Sequence, residues 1–285
     1  MSQARKITRE EFPLCLREIP DPPAHIYVEG ELPSHDDYAY LAVVGSRRYS
    51  AYSKEACEKL IAGLAGKPVV IVSGLALGID SIAHKAAIAA GLPTVAIPGS
   101  GLDRSVIAPS SHRGLADEIV AHGGALVSEL KPLTHAAPFT FPSRNRIMAG
   151  LCKAILVIEA HERSGTLITA RLAVEYNRDV LVVPGSIFSI NSKGGHKFIR
   201  IGATPVASSD EILEALGLAT GETKLLPTES LTPHEQTIFD LLASPLSRDD
   251  LLEESSLPTP DGNVVLMTME LKGLIKEIGG EFQRS

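Results

Sequence analysis

The sequence has no tryptophan, three cysteines in 285 residues and 5% aromatic residues. Each shortage excludes something. Cys15, Cys57 and Cys152 are far apart and not at metal-ligand spacing, and three thiols do not make a disulfide scaffold. A reducing compartment with buried or incidental thiols is expected. The nine histidines form no recognisable zinc constellation, so no metal is expected. No run approaches the roughly 20 apolar residues of a membrane span. The opening MSQARKITREEF lacks the apolar stretch of a secretory signal. A soluble, cytoplasmic protein with no membrane partner is expected. No Gly-rich loop ends in Gly-Lys-Ser/Thr, which argues against a motor ATPase. Gly99-x-Gly101 lacks the third glycine of a dinucleotide fingerprint and does not follow the first strand. No cofactor is expected.

The charge is unevenly spread. Residues 228–285 hold four of the 27 basic and eleven of the 34 acidic residues, so residues 1–227 hold 23 of each. Any nucleic-acid site in the larger part must therefore be a local cluster of Arg and Lys, not a global field.

From Leu41 onward a unit repeats: a short apolar run, a Gly- or Ser-containing turn, then an amphipathic helix. The runs are Leu41–Val44, Val69–Val72, Thr94–Ile97, Ala125–Val127, Ala154–Ile158 and Val180–Val183. They are near-continuously apolar, as strands covered on both faces should be. The intervening helices read as Lys54–Leu64, Ile79–Ala90, Leu115–His122, Arg144–Leu151 and Leu167–Tyr176, with Asp210–Leu216 closing the domain. The spacing predicts an α/β, Rossmann-like, doubly wound and mostly parallel sheet over residues 41–218. Residues 1–40 read as an N-terminal extension packing on it, with His25–Val28 as an edge strand. Residues 219–232 read as a linker. Residues 233–285 then give helices at Glu235–Leu242, at Arg248–Glu254 behind an N-cap at Ser247, and from Thr259 to about Lys272. A strand pair near Gly279–Gly280 completes a winged-helix-like domain. An undefined helical tail is the alternative.

Ligands of open parallel sheets bind beyond the carboxyl ends of the strands. There stand Gly45-Ser46-Arg47-Arg48, the Ser73–Asp80 turn with Gly74, Gly99–Arg104, Arg163-Ser164-Gly165-Thr166, Pro184-Gly185-Ser186 and Lys193–Lys197. Glycine turns that open helices favour anions, because unpaired N–H groups and the helix dipole point outward. With Arg47, Arg48, Arg104, Arg144, Arg146, Arg163, Lys193 and Lys197 they describe a track for phosphates. The same glycines also suit plain tight turns. Phe139 and Phe141 precede Arg144-Asn145-Arg146, pairing base-stacking faces with guanidinium groups as a single-strand site requires. The competing reading makes the phenylalanines core and lets the arginines bridge acids. Asp80 and His84, four apart, are either an acid/base pair or braces for a helix start.

Five stretches in fixed order, Ala42–Arg47, Ser73–Asp80, Phe141–Ile147, Ser164–Ala170 and Val182–Gly185, resemble the DNA-processing protein A family (DprA), also called Smf, over about residues 10–218. The resemblance implies a non-catalytic homodimer that binds single-stranded DNA. It would protect incoming DNA and help load a RecA-class recombinase in natural transformation (competence). It also implies that Ser46 and Arg47 hold phosphate, that Arg144, Asn145 and Arg146 belong to the DNA groove, and that Ser164, Gly165 and Thr166 offer amides and hydroxyls. Arg48, Gly74, Phe141, Lys193 and Lys197 complete the candidate DNA-binding set. The helical N-terminal domain of many members has no counterpart here, so its function is expected to be absent. A Tyr-Pro pair usual after Gly101-Leu102-Asp103 is missing, and His196 stands where Asn is common. A phosphoribohydrolase-like enzyme on nucleoside monophosphates is the alternative, with Glu159 as its acid. The acidic Thr259–Lys272 segment points to a protein contact rather than duplex DNA.

Overall fold

The structure, a computed structural model, describes residues 4–162, 164–218, 231–255, 257–272 and 274–284. The chain divides into two compact units, Met1–Thr220 and Gly221–Ser285. Most of the 219–232 linker expected from the sequence lies outside the described residues.

The first unit is built from β1 (Arg5–Thr8), α1 (Leu14–Arg17), β2 (His25–Gly30), β3 (Ala39–Gly45), α2 (Ala51–Ala62), β4 (Val69–Ser73), α3 (Ile79–Ala89), β5 (Thr94–Ala96), α4 (Arg113–Ala121) and β6 (Ala125–Ser128). It continues with α5 (Thr140–Leu151), β7 (Ala154–Glu159), α6 (Thr166–Glu175), β8 (Asp179–Val182), α7 (Lys193–Arg200), β9 (Thr204–Pro205) and α8 (Ser209–Ala215). The nine strands form one sheet in the order β1-β2-β6-β5-β4-β3-β7-β8-β9. All pairings from β6 to β9 are parallel, while β2 runs antiparallel to both β6 and β1. This is a mostly parallel, doubly wound, Rossmann-like sheet. His25–Val28 is not the edge strand expected. Arg5–Thr8 pairs along it and takes the edge, a strand too short and too charged to stand out in the sequence.

Alternation explains the two-sided core. Along β3, Tyr40, Ala42 and Val44 pack with Ile147 and Leu151 of α5, Leu167 of α6 and Leu16 of α1. Leu41 and Val43 face the other way, onto Cys57 and Ile61 of α2, Ile79 of α3 and Ile212 of α8. Every residue of β4 and β7 is buried, as strands covered on both faces require. The sheet order reverses direction between β3 and β7, and there the register slips: Val44 pairs with Val157 but Gly45 with Glu159. The connections that leave these two strands run to opposite faces of the sheet, α2 on one and α6 on the other, which opens a crevice at the switch point.

The second unit holds α9 (Pro233–Leu241), β10 (Leu246–Ser247), α10 (Arg248–Glu254), α11 (Thr259–Leu271), β11 (Ile275–Ile278) and β12 (Glu281–Arg284). Ile238, Leu251, Leu266, Met269 and Phe282 form its own core. Gly279 and Gly280, both at positive φ, make the two-residue hairpin turn between β11 and β12. Ser247 accepts from the Asp250 amide as the N-cap of α10.

Candidate nucleic-acid interface

A cavity of 990 Å³ opens at the switch-point crevice. Of the candidate residues, all but Gly74, Arg146 and Lys197 line it.

Its first wall is the turn after β3. A Cβ on Gly45 would sit 2.6 Å from Ile79 Cγ1, and one on Gly78 would sit 2.7 Å from Arg47 Cα. Gly78 also has φ +84°, so the two loops interlock at positions that demand glycine. The Ser46 hydroxyl donates to the Arg48 carbonyl at 2.7 Å and accepts the Arg48 amide at 3.0 Å. Ser46 thus shapes the turn, and the exposed Arg47 and Arg48 are the groups it presents.

The second wall is α5. Thr140 Oγ1 donates to the Gly99 carbonyl at 2.6 Å, and the Phe141 ring packs on Gly99, where a Cβ would lie 2.7 Å from the ring. Arg47 lies over the same ring at 5.4 Å. Phe141 therefore orients a cation at the cavity mouth. Arg144 is buried: its guanidinium donates to the Ile97 carbonyl and, at 3.0 Å, to Asn145 Oδ1. Gly74 backs that guanidinium directly, since the space of a Cβ is filled by Arg144. Asp80 accepts from the Gly74 amide at 3.1 Å and the Ala76 amide at 3.4 Å. Burial raises its carboxyl pKa, opposed by the charge of Arg144. Burial likewise lowers the Arg144 pKa, opposed by Asp80. Asp80 is a brace, and His84, fully buried on Thr94 at 2.7 Å, is remote from solvent. They are not an acid/base pair.

The third wall is the β7–α6 turn. Ser164 donates to Thr166 Oγ1 at 2.9 Å, and Thr166 Oγ1 donates to the Gly45 carbonyl at 3.0 Å. The N-terminus of α6 is thereby bolted to the end of β3, with Gly165 open to the cavity. Lys193 at the start of α7 closes the ring.

Several expected residues stand elsewhere. Arg146 pairs with Glu129 at 2.7 Å and Asp21 at 3.3 Å. α5 begins at Thr140, so Arg144 and Arg146 both lie inside the helix, where residues two apart point to nearly opposite sides. They cannot share one groove. Lys197 does not line the cavity but pairs at 3.3 Å with Glu162, which does. Arg104 is withdrawn from the expected track: it binds Glu29 at 2.8 Å and Asp117 at 2.7 Å. Arg163 lies outside the described residues. Glu159, the acid of the alternative enzymatic reading, is buried and accepts from the Ser50 amide at 3.0 Å and Ser53 Oγ at 2.9 Å, holding the start of α2. His196 meets the Gly185 carbonyl at 3.0 Å. Ile190, Asn191 and Glu162 line the cavity unforeseen. For Ile190 and Asn191 the signal in the sequence is Ile187, Phe188 and Ile190 standing together, without periodicity, in a polar turn; Glu162 has none. Among the described residues no cluster of His, Cys, Asp and Glu could hold a metal.

The model of DNA recombination-mediator protein A matches residues 3–217. The chain belongs to that family. A second model, the winged helix domain of this family, matches residues 222–281, so the second unit is a winged-helix domain. Within the family the chain is 38% identical to protein Smf of Escherichia coli over 96% of this chain and 75% of that one. It is 43% identical to DNA processing protein DprA of Streptococcus pneumoniae over 71% and 70%. The crystal structure of the pneumococcal protein superposes with a TM-score of 0.68, covering 74% of each chain at 40% identity. DNA processing protein A from Helicobacter pylori, described for its single-stranded DNA binding mode, gives 0.66 over 76% of this chain and 98% of that one, at 28% identity.

Proposed function

We propose that the first unit binds single-stranded DNA in the switch-point cavity without catalysing a reaction. One observation carries this: Arg47, Arg48 and Lys193, the N-terminus of α6 and the Phe141 ring converge on a single opening at the carboxyl ends of β3 and β7. Cations and helix amides suit phosphates, and an aromatic beside them suits an unpaired base. Duplex DNA keeps its bases stacked and offers nothing to that ring. The names carried by the relatives, DNA processing and single-stranded DNA binding, support the same reading.

In this reading the chain is a cytoplasmic homodimer that protects incoming single strands in natural transformation and hands them to a RecA-class recombinase. A strand-exchange assay tests the second step. With the single strand pre-coated by a single-strand-binding protein, addition of this chain should relieve the block to recombinase filament growth. Absence of relief, with intact binding to the strand, would remove the loading role. Glu159, committed to Ser50 and Ser53, leaves the phosphoribohydrolase reading without its acid.

A further inference from the structure

The loop between β8 and α7 carries three large apolar side chains in solvent: Ile187 is 76%, Phe188 93% and Ile190 68% exposed. Such exposure is costly unless the side chains meet something. The feet of the loop are fixed. Tyr52 donates its hydroxyl to the Pro184 carbonyl at 2.7 Å, and His196 meets the Gly185 carbonyl at 3.0 Å. The Gly185 backbone packs so closely on Ser192 that a Cβ would meet the side chain of that serine. Two successive turns, with the Ser189 amide on the Ser186 carbonyl at 3.0 Å and the Ser192 amide on the Ser189 carbonyl at 3.3 Å, then hold Phe188 outward. Two residues on, Ile190 and Asn191 line the cavity, and Lys193 follows. An apolar loop on a pinned base, continuous with the proposed phosphate site, is placed to receive a base.

We infer that Phe188 is a second base-stacking platform, on the α7 side of the cavity, which receives a nucleotide of the strand whose phosphates lie on Arg47 and Lys193. Phe141 stands on the α5 wall, where its ring is anchored against Gly99 beside Arg47, so a base on the α7 side needs a platform of its own. The inference rests on the single-strand reading of the cavity and adds the direction in which the strand leaves it. A flat π face is required, not mere apolar bulk, because bases stack on aromatic rings irrespective of sequence.

Fluorescence anisotropy of the full chain with oligothymidylates from about 5 to about 20 nucleotides tests this. Phe188→Ala should weaken binding of the longer oligomers by about tenfold and leave the shortest, which fill only the cavity, unchanged. Phe188→Tyr should restore the affinity and Phe188→Leu should not. The salt dependence should stay that of the parent, since no phosphate contact is lost. Full affinity in the alanine variant would overturn the inference, and so would equal rescue by leucine. Dissociation of a dimer by Phe188→Ala, with single-strand affinity intact, would also overturn it by making the loop a contact between copies. If the parent itself does not bind, or Arg47→Ala binds as the parent does, the cavity reading falls as well. Parent binding that needs Arg47 but ignores Phe188 overturns this inference alone.

Discussion

The Arg144 guanidinium fills the place where any Cβ at residue 74 would stand, so Gly74 and Arg144 are two halves of one feature. Glycine at 74 lets the arginine reach the Ile97 carbonyl and lie beside Asp80, which in turn holds the 74–76 loop through two amides. Gly74→Ala should therefore displace the guanidinium and cost about 1–3 kcal/mol of stability, with weaker single-strand binding. Urea unfolding and an oligonucleotide titration check both. An alanine variant as stable and as tight-binding as the parent would dissolve the pairing.

Arg146 belongs to the same Arg-Asn-Arg run but to a different task. Held by Glu129 and Asp21, it ties α5 to the end of β6 and to the N-terminal segment. Arg146→Ala should lower stability by about 1–2 kcal/mol. Its affinity for single strands, measured well below the melting transition, should remain that of the parent. A loss matching that of Arg47→Ala would return Arg146 to the groove.

His84 sets a pH dependence. Its Nδ1 lies 2.7 Å from Thr94 Oγ1, whose own proton goes to the Ile71 carbonyl. Burial, aided by the neighbouring His112 and Arg144, pushes its pKa down to about 3, against 6.5 when free. A pKa depressed in the folded state means that the unfolded chain takes up the proton first. The stabilising effect is complete above pH 6.5 and is lost as pH falls towards 3, by about 1.4 kcal/mol per pH unit. Between pH 6.5 and 5 the parent should lose about 2 kcal/mol more than His84→Gln, which cannot titrate. Equal slopes for the two would place a protonated imidazole in the fold.

The winged-helix unit should add little to strand binding. Three of its described cations are engaged within the unit: Lys272 with Glu235 at 2.7 Å, Arg248 over Phe282 and Arg284 over Phe239. Its α11 shows Val264 and Met267 to solvent rather than basic residues. Removing residues 228–285 should change single-strand affinity by less than about twofold. A larger loss would show that this unit contributes to the DNA site.

The strands of the parallel sheet were legible because runs such as Val69–Val72 are buried on both faces, and burial on both faces leaves an unbroken apolar signature. β1 and β9 were not, having four and two residues with much of their surface exposed. α5 begins four residues before the expected Arg144, because Pro142 stands in its first turn, where proline has no amide to lose. That shift hid the opposed directions of Arg144 and Arg146. Lys193-Gly194-Gly195 resembled a phosphate turn, but both glycines are helical. Gly194 donates to the Ala160 carbonyl at 2.8 Å, and a Cβ on Gly195 would lie 2.9 Å from Val182, so they serve close packing of α7 on the sheet. The turns after β3 and before α6 were legible because their strand-turn-helix context is local. The pairing of Arg104 with Glu29 across 75 residues was not, because nothing in the chain text marks one arginine as engaged and the next as free.

Convergence of Arg47, Arg48 and Lys193 on one strand of phosphates is most directly tested by the salt dependence of binding. Equal-length single-stranded and duplex oligonucleotides should be titrated with the parent and with Arg47→Ala. The single strand should bind more tightly, its log affinity should fall linearly with log salt, and Arg47→Ala should reduce that slope by about one. Duplex preference, or a slope unchanged by Arg47→Ala, would contradict a phosphate site at the β3–β7 crevice.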